Sequence, residues 1–324
     1  MKRFQKTVFF ISILFVGNKA YTQEKQTGFG PYTIETTFQK LKKKYPFITP
    51  IIPLVSNEIK AKENVCYKKI DNSKLRADIY LPKDASEKSH PAVLLIHGGG
   101  WLTGSKENQR VMAQHLALNG YVAITVSYRL GLEAPYPAGV IDLKDAIVWI
   151  RKNAKKYPIN PDKIAVLGAS AGAQLATLIG VTPNSPLYEP DSKIPDYVQA
   201  IVNIDGIVSF IHPEASAEAK SGKVSMADVW LNGSKEENFK NWKEASPLEY
   251  VDAHTPPTLF INSSQARFHA GRDAMVSILN KHNIYNEIHT ISDSPHAFWL
   301  MHPWFETTLD YTVAFLDKVL KTEN

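Results

Sequence analysis

The sequence predicts an α/β protein, a mostly parallel sheet with helices on both faces. Short apolar runs of strand length alternate with segments whose apolar residues recur at helical spacing, as repeated strand–helix units require. Several of the runs, 92–96 among them, are nearly continuously apolar, which marks strands buried on both faces. A third observation says which end of the sheet matters. A glycine run follows Ile96, a Gly-x-Ser-x-Gly turn follows Leu167, and a histidine loop follows Ile291. Ligands of open α/β sheets sit at the carboxyl ends of the strands, where all three fall.

The elements follow in order. After a polar lead over residues 24–62, with the basic run Lys42-Lys43-Lys44 on a solvated surface, residues 65–70 and 75–81 alternate apolar and polar residues around Asp71-Asn72-Ser73, as in a hairpin. The run 92–96 is a buried strand, and 109–118 a helix stopped by Asn119-Gly120. Residues 122–126 form the next strand. The segment 142–157 spaces Leu143, Ala146, Ile147 and Ile150 as a helix and stops before Pro158. Strand 163–167 and helix 173–179 flank the Gly-x-Ser-x-Gly turn. Strand 200–204 is the sixth, and an insertion over 206–254, with Trp230 and Trp242, separates it from strand 258–262. A helix near 273–281, a strand at 286–291 and a helix at 306–320 close the chain.

At 324 residues, with 44% hydrophobic and 21% charged residues, one large domain with a sizeable core is expected. Lys2, Arg3 and Lys6 precede the apolar run 8–16, and Ala20-Tyr21-Thr22 offers a small-x-small cleavage site, so residues 1–22 read as a secretory signal and 23–324 as a single domain. The sole cysteine, Cys66, is far from the cut, which argues against a lipid anchor and for a secreted or periplasmic protein without a membrane partner. Residues 1–22 hold four basic and no acidic residues, leaving 33 basic against 32 acidic, so no global charge points to nucleic acid. One cysteine makes neither an internal disulfide nor a cysteine-based zinc site, and no metal or cofactor is expected.

Gly168-Ala169-Ser170-Ala171-Gly172 between a strand and a helix has the layout of a nucleophile elbow, its glycines permitting a turn that leaves Ser170 exposed at the apex. A serine hydroxyl attacks an ester only with a histidine in reach, and His296, just after the last strand, is the best placed. In His97-Gly98-Gly99-Gly100-Trp101, glycines let backbone N–H groups turn inward. Gly99 and Gly100, with the Ala171 N–H, suit an oxyanion hole, while His97 braces the loop.

Together with Ser127-Tyr128-Arg129, Tyr136-Pro137-Ala138 and Pro295-His296-Ala297-Phe298, these stretches resemble the α/β-hydrolase superfamily, within it the carbohydrate-esterase and hormone-sensitive-lipase-like group. The stretches 203–207, 268–273 and 302–305 further resemble secreted bacterial esterases of pectin breakdown. The resemblance implies an α/β-hydrolase fold and a serine esterase with a Ser-His-Asp triad, acting on methyl or acetyl esters of a plant-type polysaccharide. One departure matters. The superfamily's usual acid position, a few residues after strand 258–262, falls on Ser264, and 263–267 contain no carboxylate. Asp205, directly after strand 200–204, is favoured over Asp273 because a strand end is positioned more rigidly than a loop. Asp293 would need its loop to fold back sharply.

Arg267, His269 and Arg272 cluster where the acid is missing, and an arginine fork there suits a substrate carboxylate such as a uronate's. Their plainer use is a solvated loop with Arg272 paired to a neighbouring carboxylate. Trp101 joins them as a candidate substrate contact, and the insertion as a partial lid whose aromatics serve mainly in packing. Alternative readings are a general carboxylesterase or acetyl xylan esterase, and a silent hydrolase fold that binds glycan, which the missing acid motivates.

Overall fold

The computed structural model describes residues 29–321 apart from 72, 86–87, 189–191 and 216–223, so the expected signal segment lies outside the described residues. The described residues from Tyr32 onward form one compact unit. No helix among the described residues is long and apolar enough to cross a membrane.

The sheet has eight strands: β1 (Ile59–Ile70), β2 (Ser73–Pro82), β3 (His90–Ile96), β4 (Val122–Val126), β5 (Ile159–Ala169), β6 (Ala200–Ile204), β7 (Thr258–Ser263) and β8 (Asn286–Ile291). Their spatial order is β1-β2-β4-β3-β5-β6-β7-β8. Only the β1–β2 and β2–β4 pairs are antiparallel. This is the α/β-hydrolase arrangement. Register brings Ile96 level with Gly168, Gly168 with Asn203, Ile204 with Ile261, and Ser263 with Ile291. The loops that follow these residues therefore emerge along one edge.

Alternation along the strands splits the core in two. Val93, Leu95, Ala165, Leu167 and Val202 face one layer with helices α2 (Arg110–Leu118) and α5 (Trp304–Leu316). On the other face lie α3 (Ala138–Lys152) and α4 (Ala171–Val181), where Gly180 lets α4 approach Ile201 and Val166. Every residue of α4 is buried, Gln174 and Thr177 included, so the helix has no solvent face.

The polar lead hides structure. α1 (Ile34–Leu41) is capped by Thr33, whose side chain accepts from the Thr36 N–H, and its Ile34, Phe38 and Leu41 pack on the core. Thr49–Pro50 pairs with Met301–His302 in a second, two-stranded ladder. The apolar spacing of α1 was readable but sits beside a lysine run. α3 begins four residues earlier than the apolar spacing suggests and ends at Lys152, before the turn that leads to Pro158.

The ion pair between Lys144 and Asp196 is fully enclosed. Lys144 on α3 meets Asp196 at 2.6 Å and also donates to the Thr182 carbonyl, while Asp196 accepts the Asn184 N–H at 2.7 Å. Lys144→Met removes one partner and leaves a buried carboxylate without its cation, so urea unfolding should show a loss of about 3 kcal/mol. An unchanged midpoint would mean that water reaches Asp196.

Candidate active site

β5 ends at Ala169 and α4 begins at Ala171, so Ser170 alone makes the turn, at φ 55° and ψ −124°. A side chain rarely takes that backbone, and it costs on the order of 1–3 kcal/mol. The flanking glycines make the turn sterically possible: a Cβ on Gly168 would run into the Gly172 carbonyl, and one on Gly172 into the Ile96 carbonyl. The Ser170 N–H donates to the Ile204 carbonyl at 2.9 Å, fastening the apex to the end of β6.

His296 reaches both expected neighbours. Its Nε2 lies 2.8 Å from Ser170 Oγ and its Nδ1 2.7 Å from Asp205 Oδ2. A carboxylate only accepts, so Nδ1 carries the proton and Nε2 is left to accept from the serine hydroxyl. Asp205 is fully buried; its other oxygen accepts the Ser263 N–H at 2.9 Å, and its own N–H donates to Ile261. Phe268 lies flat on the imidazole, 3.5 Å between ring centroids at 10°, and Trp299 stands edge-on at 5.2 Å. Sequence reasoning did not single out Phe268.

The alternative acids go elsewhere. Asp273 is an exposed carboxylate held by Arg272 at 2.8 Å, a bond that keeps it below its ordinary pKa. Asp293 is exposed and gives its N–H to Ser264 Oγ at 3.0 Å. Ser264 thus ties the histidine loop to the loop after β7 instead of supplying an acid.

Gly99 and Gly100 adopt φ values of 116° and 58°. The Gly99 carbonyl accepts from the Leu102 and Thr103 N–H groups, and neither glycine's own N–H finds an acceptor among the described residues. The Ala171 N–H opens α4, where the helix itself offers no acceptor. Such free N–H groups beside a strained serine can receive a developing negative charge. His97 is buried, stacks on Tyr128 at 4.5 Å and lies 2.8 Å from the Gly98 carbonyl. Burial pushes its pKa down to about 4, so it stays neutral and braces the loop.

The remaining expected contacts divide. Arg267 lies over Phe268 with its guanidinium carbon 4.2 Å from the ring centre; burial lowers its pKa and Asp205 opposes that. Arg272 shows the plainer of its two expected uses: its fork donates to Asn262 Oδ1 and Asp273 Oδ1, both at 2.8 Å. His269 is partly buried, and burial together with Arg272 lowers its pKa. Trp101 directs its indole N–H inward to Gln174 and stacks on Trp230, so its polar edge is not offered to a substrate. Trp230 and Trp242 of the insertion pack against Phe210. A separate cavity of about 990 Å³, lined by Lys83, His90, Gly120 and Lys163, opens at the opposite ends of the strands and touches none of these residues.

Comparison with known proteins finds esterases and esterase folds. The model of the BD-FAE family matches residues 77–286. Esterase LipC of Mycobacterium tuberculosis is 28% identical over 223 residues, 67% of this chain and 53% of that protein. The chain spans about half the length of the curated relatives it matches. Esterase Est2 of the planctomycete Thermogutta terrifontis, solved with butyrate bound, superposes with a TM-score of 0.67 at 26% identity, over 82% of this chain and 96% of that one. A truncated carbohydrate esterase from gut microbiota superposes at 0.67 and 21% identity, covering 83% of this chain and 99% of its own, which supports the fold alone.

Proposed function

Because the chain belongs to the BD-FAE family, we propose that it is a serine carboxylic ester hydrolase using Ser170, His296 and Asp205. The observation that carries this reading is the unbroken line of hydrogen bonds from Ser170 Oγ through His296 to buried Asp205. Ser170 Oγ adds to the ester carbonyl carbon while its proton passes to His296 Nε2. The carbonyl oxygen gathers negative charge against the Gly99, Gly100 and Ala171 N–H groups. Collapse expels the alcohol, which takes the proton from His296, and leaves an acyl-serine. Water, deprotonated by His296, then adds to the acyl carbon and releases the acid. The reading as a silent, glycan-binding fold rests on the missing acid, and the bond from Asp205 to His296 speaks against it.

The substrate we favour is a methyl or acetyl ester on a plant-type polysaccharide, pectin foremost, met by a secreted enzyme after loss of residues 1–22. Support comes from the stretches resembling pectin esterases and from Arg267, which lies over the same Phe268 ring that stacks on His296. A guanidinium suits the carboxylate of a neighbouring uronate as a ligand. A general short-chain carboxylesterase is the second reading, favoured by the butyrate in Est2.

A fluorophosphonate probe should label Ser170 of the folded protein, and incubation with acetylated xylan and methylated pectin should release acetate or methanol. Absence of labelling would sink the esterase reading; release only from small p-nitrophenyl esters would favour the second. Arg267→Ala should raise KM on partly methylated pectin about tenfold, the size of one charge-assisted hydrogen bond, and much less on p-nitrophenyl acetate. An equal change in KM on both would remove the carboxylate contact.

A further inference from the structure

The glycine run that supplies two of the three candidate oxyanion donors is fastened within its own loop by the Leu102 and Thr103 N–H groups and by His97, but none of these bonds reaches the helix that follows Ser170. Glycine backbones have more freedom than any other, and an oxyanion hole depends on donors fixed before charge develops. Something outside the run must set its position relative to Ser170.

The contacts of the next residue do this. Trp101 follows Gly100 directly and is itself held in the left-handed region, at φ 62°. Its indole Nε1–H donates to Gln174 Oε1 at 2.8 Å. Gln174 lies one helical turn beyond Ser170 on α4 and is wholly buried, the one long polar side chain in that otherwise apolar helix. Its amide Nε2 donates onward to the Ala245 carbonyl of the insertion at 2.7 Å. The Trp101 ring lies parallel to Trp230, 5.1 Å apart at 10°, and near Phe210 at 5.2 Å. Its carbonyl accepts the Gly131 N–H at 2.8 Å. Met226 packs so close to Gly100 that a Cβ there would strike its sulfur.

We propose that Trp101 and Gln174 are positioning residues that set the span between the two halves of the oxyanion hole, with the insertion as their fixed brace. One half, the Gly99 and Gly100 N–H groups, is carried by the loop that Trp101 ends. The other, the Ala171 N–H, begins the helix that bears Gln174. The indole–amide bond joins the two directly, so their spacing follows a side-chain contact and not the glycine backbone. Trp230, Met226 and Ala245 press on the same junction from the insertion, which makes those parts of the insertion a wall of the site. This inference rests on Ser170 being the nucleophile of an esterase.

The test uses Trp101→Phe, which keeps the stacked ring and removes the N–H, and Gln174→Leu, which removes the acceptor. Each is assayed on p-nitrophenyl acetate and with a methyl trifluoromethyl ketone. Ser170 Oγ adds to the ketone carbon, its proton goes to His296, and the ketone oxygen becomes an oxyanion in the hole. Both variants should lose at least tenfold in kcat with KM within about twofold, and the ketone's inhibition constant should rise by the same factor as kcat/KM falls. A merely structural role would not tie those two factors together. A rise in KM with kcat kept, an unmoved inhibition constant, or wild-type kinetics would each overturn the proposal. Gln174 is fully buried, so if its variant does not fold, Trp101→Phe decides alone. Wild-type kinetics in these variants beside an inactive Ser170→Ala would overturn only the clamp; an active Ser170→Ala would overturn the esterase reading and the clamp with it.

Discussion

Ser170→Ala should lower kcat on p-nitrophenyl acetate by about 10⁶-fold, the scale expected when the nucleophile of a serine triad is removed, and should abolish fluorophosphonate labelling. The change deletes one oxygen and keeps the Cβ, so the φ of 55° and its strain stay as they are and thermal unfolding should move little. The remaining rate over water would come from the oxyanion donors and from substrate binding. Ser170→Gly separates chemistry from strain. It is equally without a nucleophile, yet glycine takes the left-handed backbone readily, so it should gain about 1 kcal/mol in stability over Ser170→Ala. A Ser170→Ala enzyme retaining more than about one part in a hundred of kcat would place the nucleophile elsewhere. No stability gain in Ser170→Gly would show that the elbow stores no strain.

Ser170, His97–Gly100 and His296 were readable because short-range chemistry specifies them: glycines flank a turn that excludes a Cβ, and a histidine follows the last apolar strand. The strands themselves were legible for the same reason, since runs such as 92–96 and 122–126 are apolar enough to be buried on both faces, whereas their spatial order came from the three-dimensional pairing alone. The triad acid was only half legible. Asp205 and Asp273 are both carboxylates near turns, and what separates them is three-dimensional. Asp205 hangs between the ends of β6 and β7, with its N–H on Ile261 and its carboxylate on the Ser263 N–H. Asp273 opens an amphipathic helix and faces solvent beside Arg272. Phe268 was not legible at all, because nothing local says that its ring will cover His296. Gln174 left a trace: a lone glutamine in the apolar stretch 171–181, four residues after the serine, is costly to bury without partners.

Asp205→Asn should cost about 10⁴-fold in kcat, while Asp273→Asn should stay within about twofold. The carboxylate accepts twice, from the Ser263 N–H at one oxygen and from His296 Nδ1–H at the other. An asparagine has one oxygen for these two donors. The Ser263 donor is backbone and cannot change, so the amide oxygen settles there and the NH₂ turns toward His296. Two donors cannot face each other, so the imidazole must shift its proton to Nε2. A protonated Nε2 cannot accept from Ser170 Oγ, and the general base is lost although every atom keeps its place. Asp273 has no such coupling. Its loss frees Arg272 at an exposed pair, the kind of contact that contributes at most about 1 kcal/mol to stability. Arg272 keeps its bond to Asn262, so the loop beside His296 should hold. The pair of variants is decisive because the two positions exchange roles under the rival assignment. A large loss in Asp273→Asn with a small one in Asp205→Asn would move the acid into the loop after β7, and small losses in both would leave His296 working without a carboxylate.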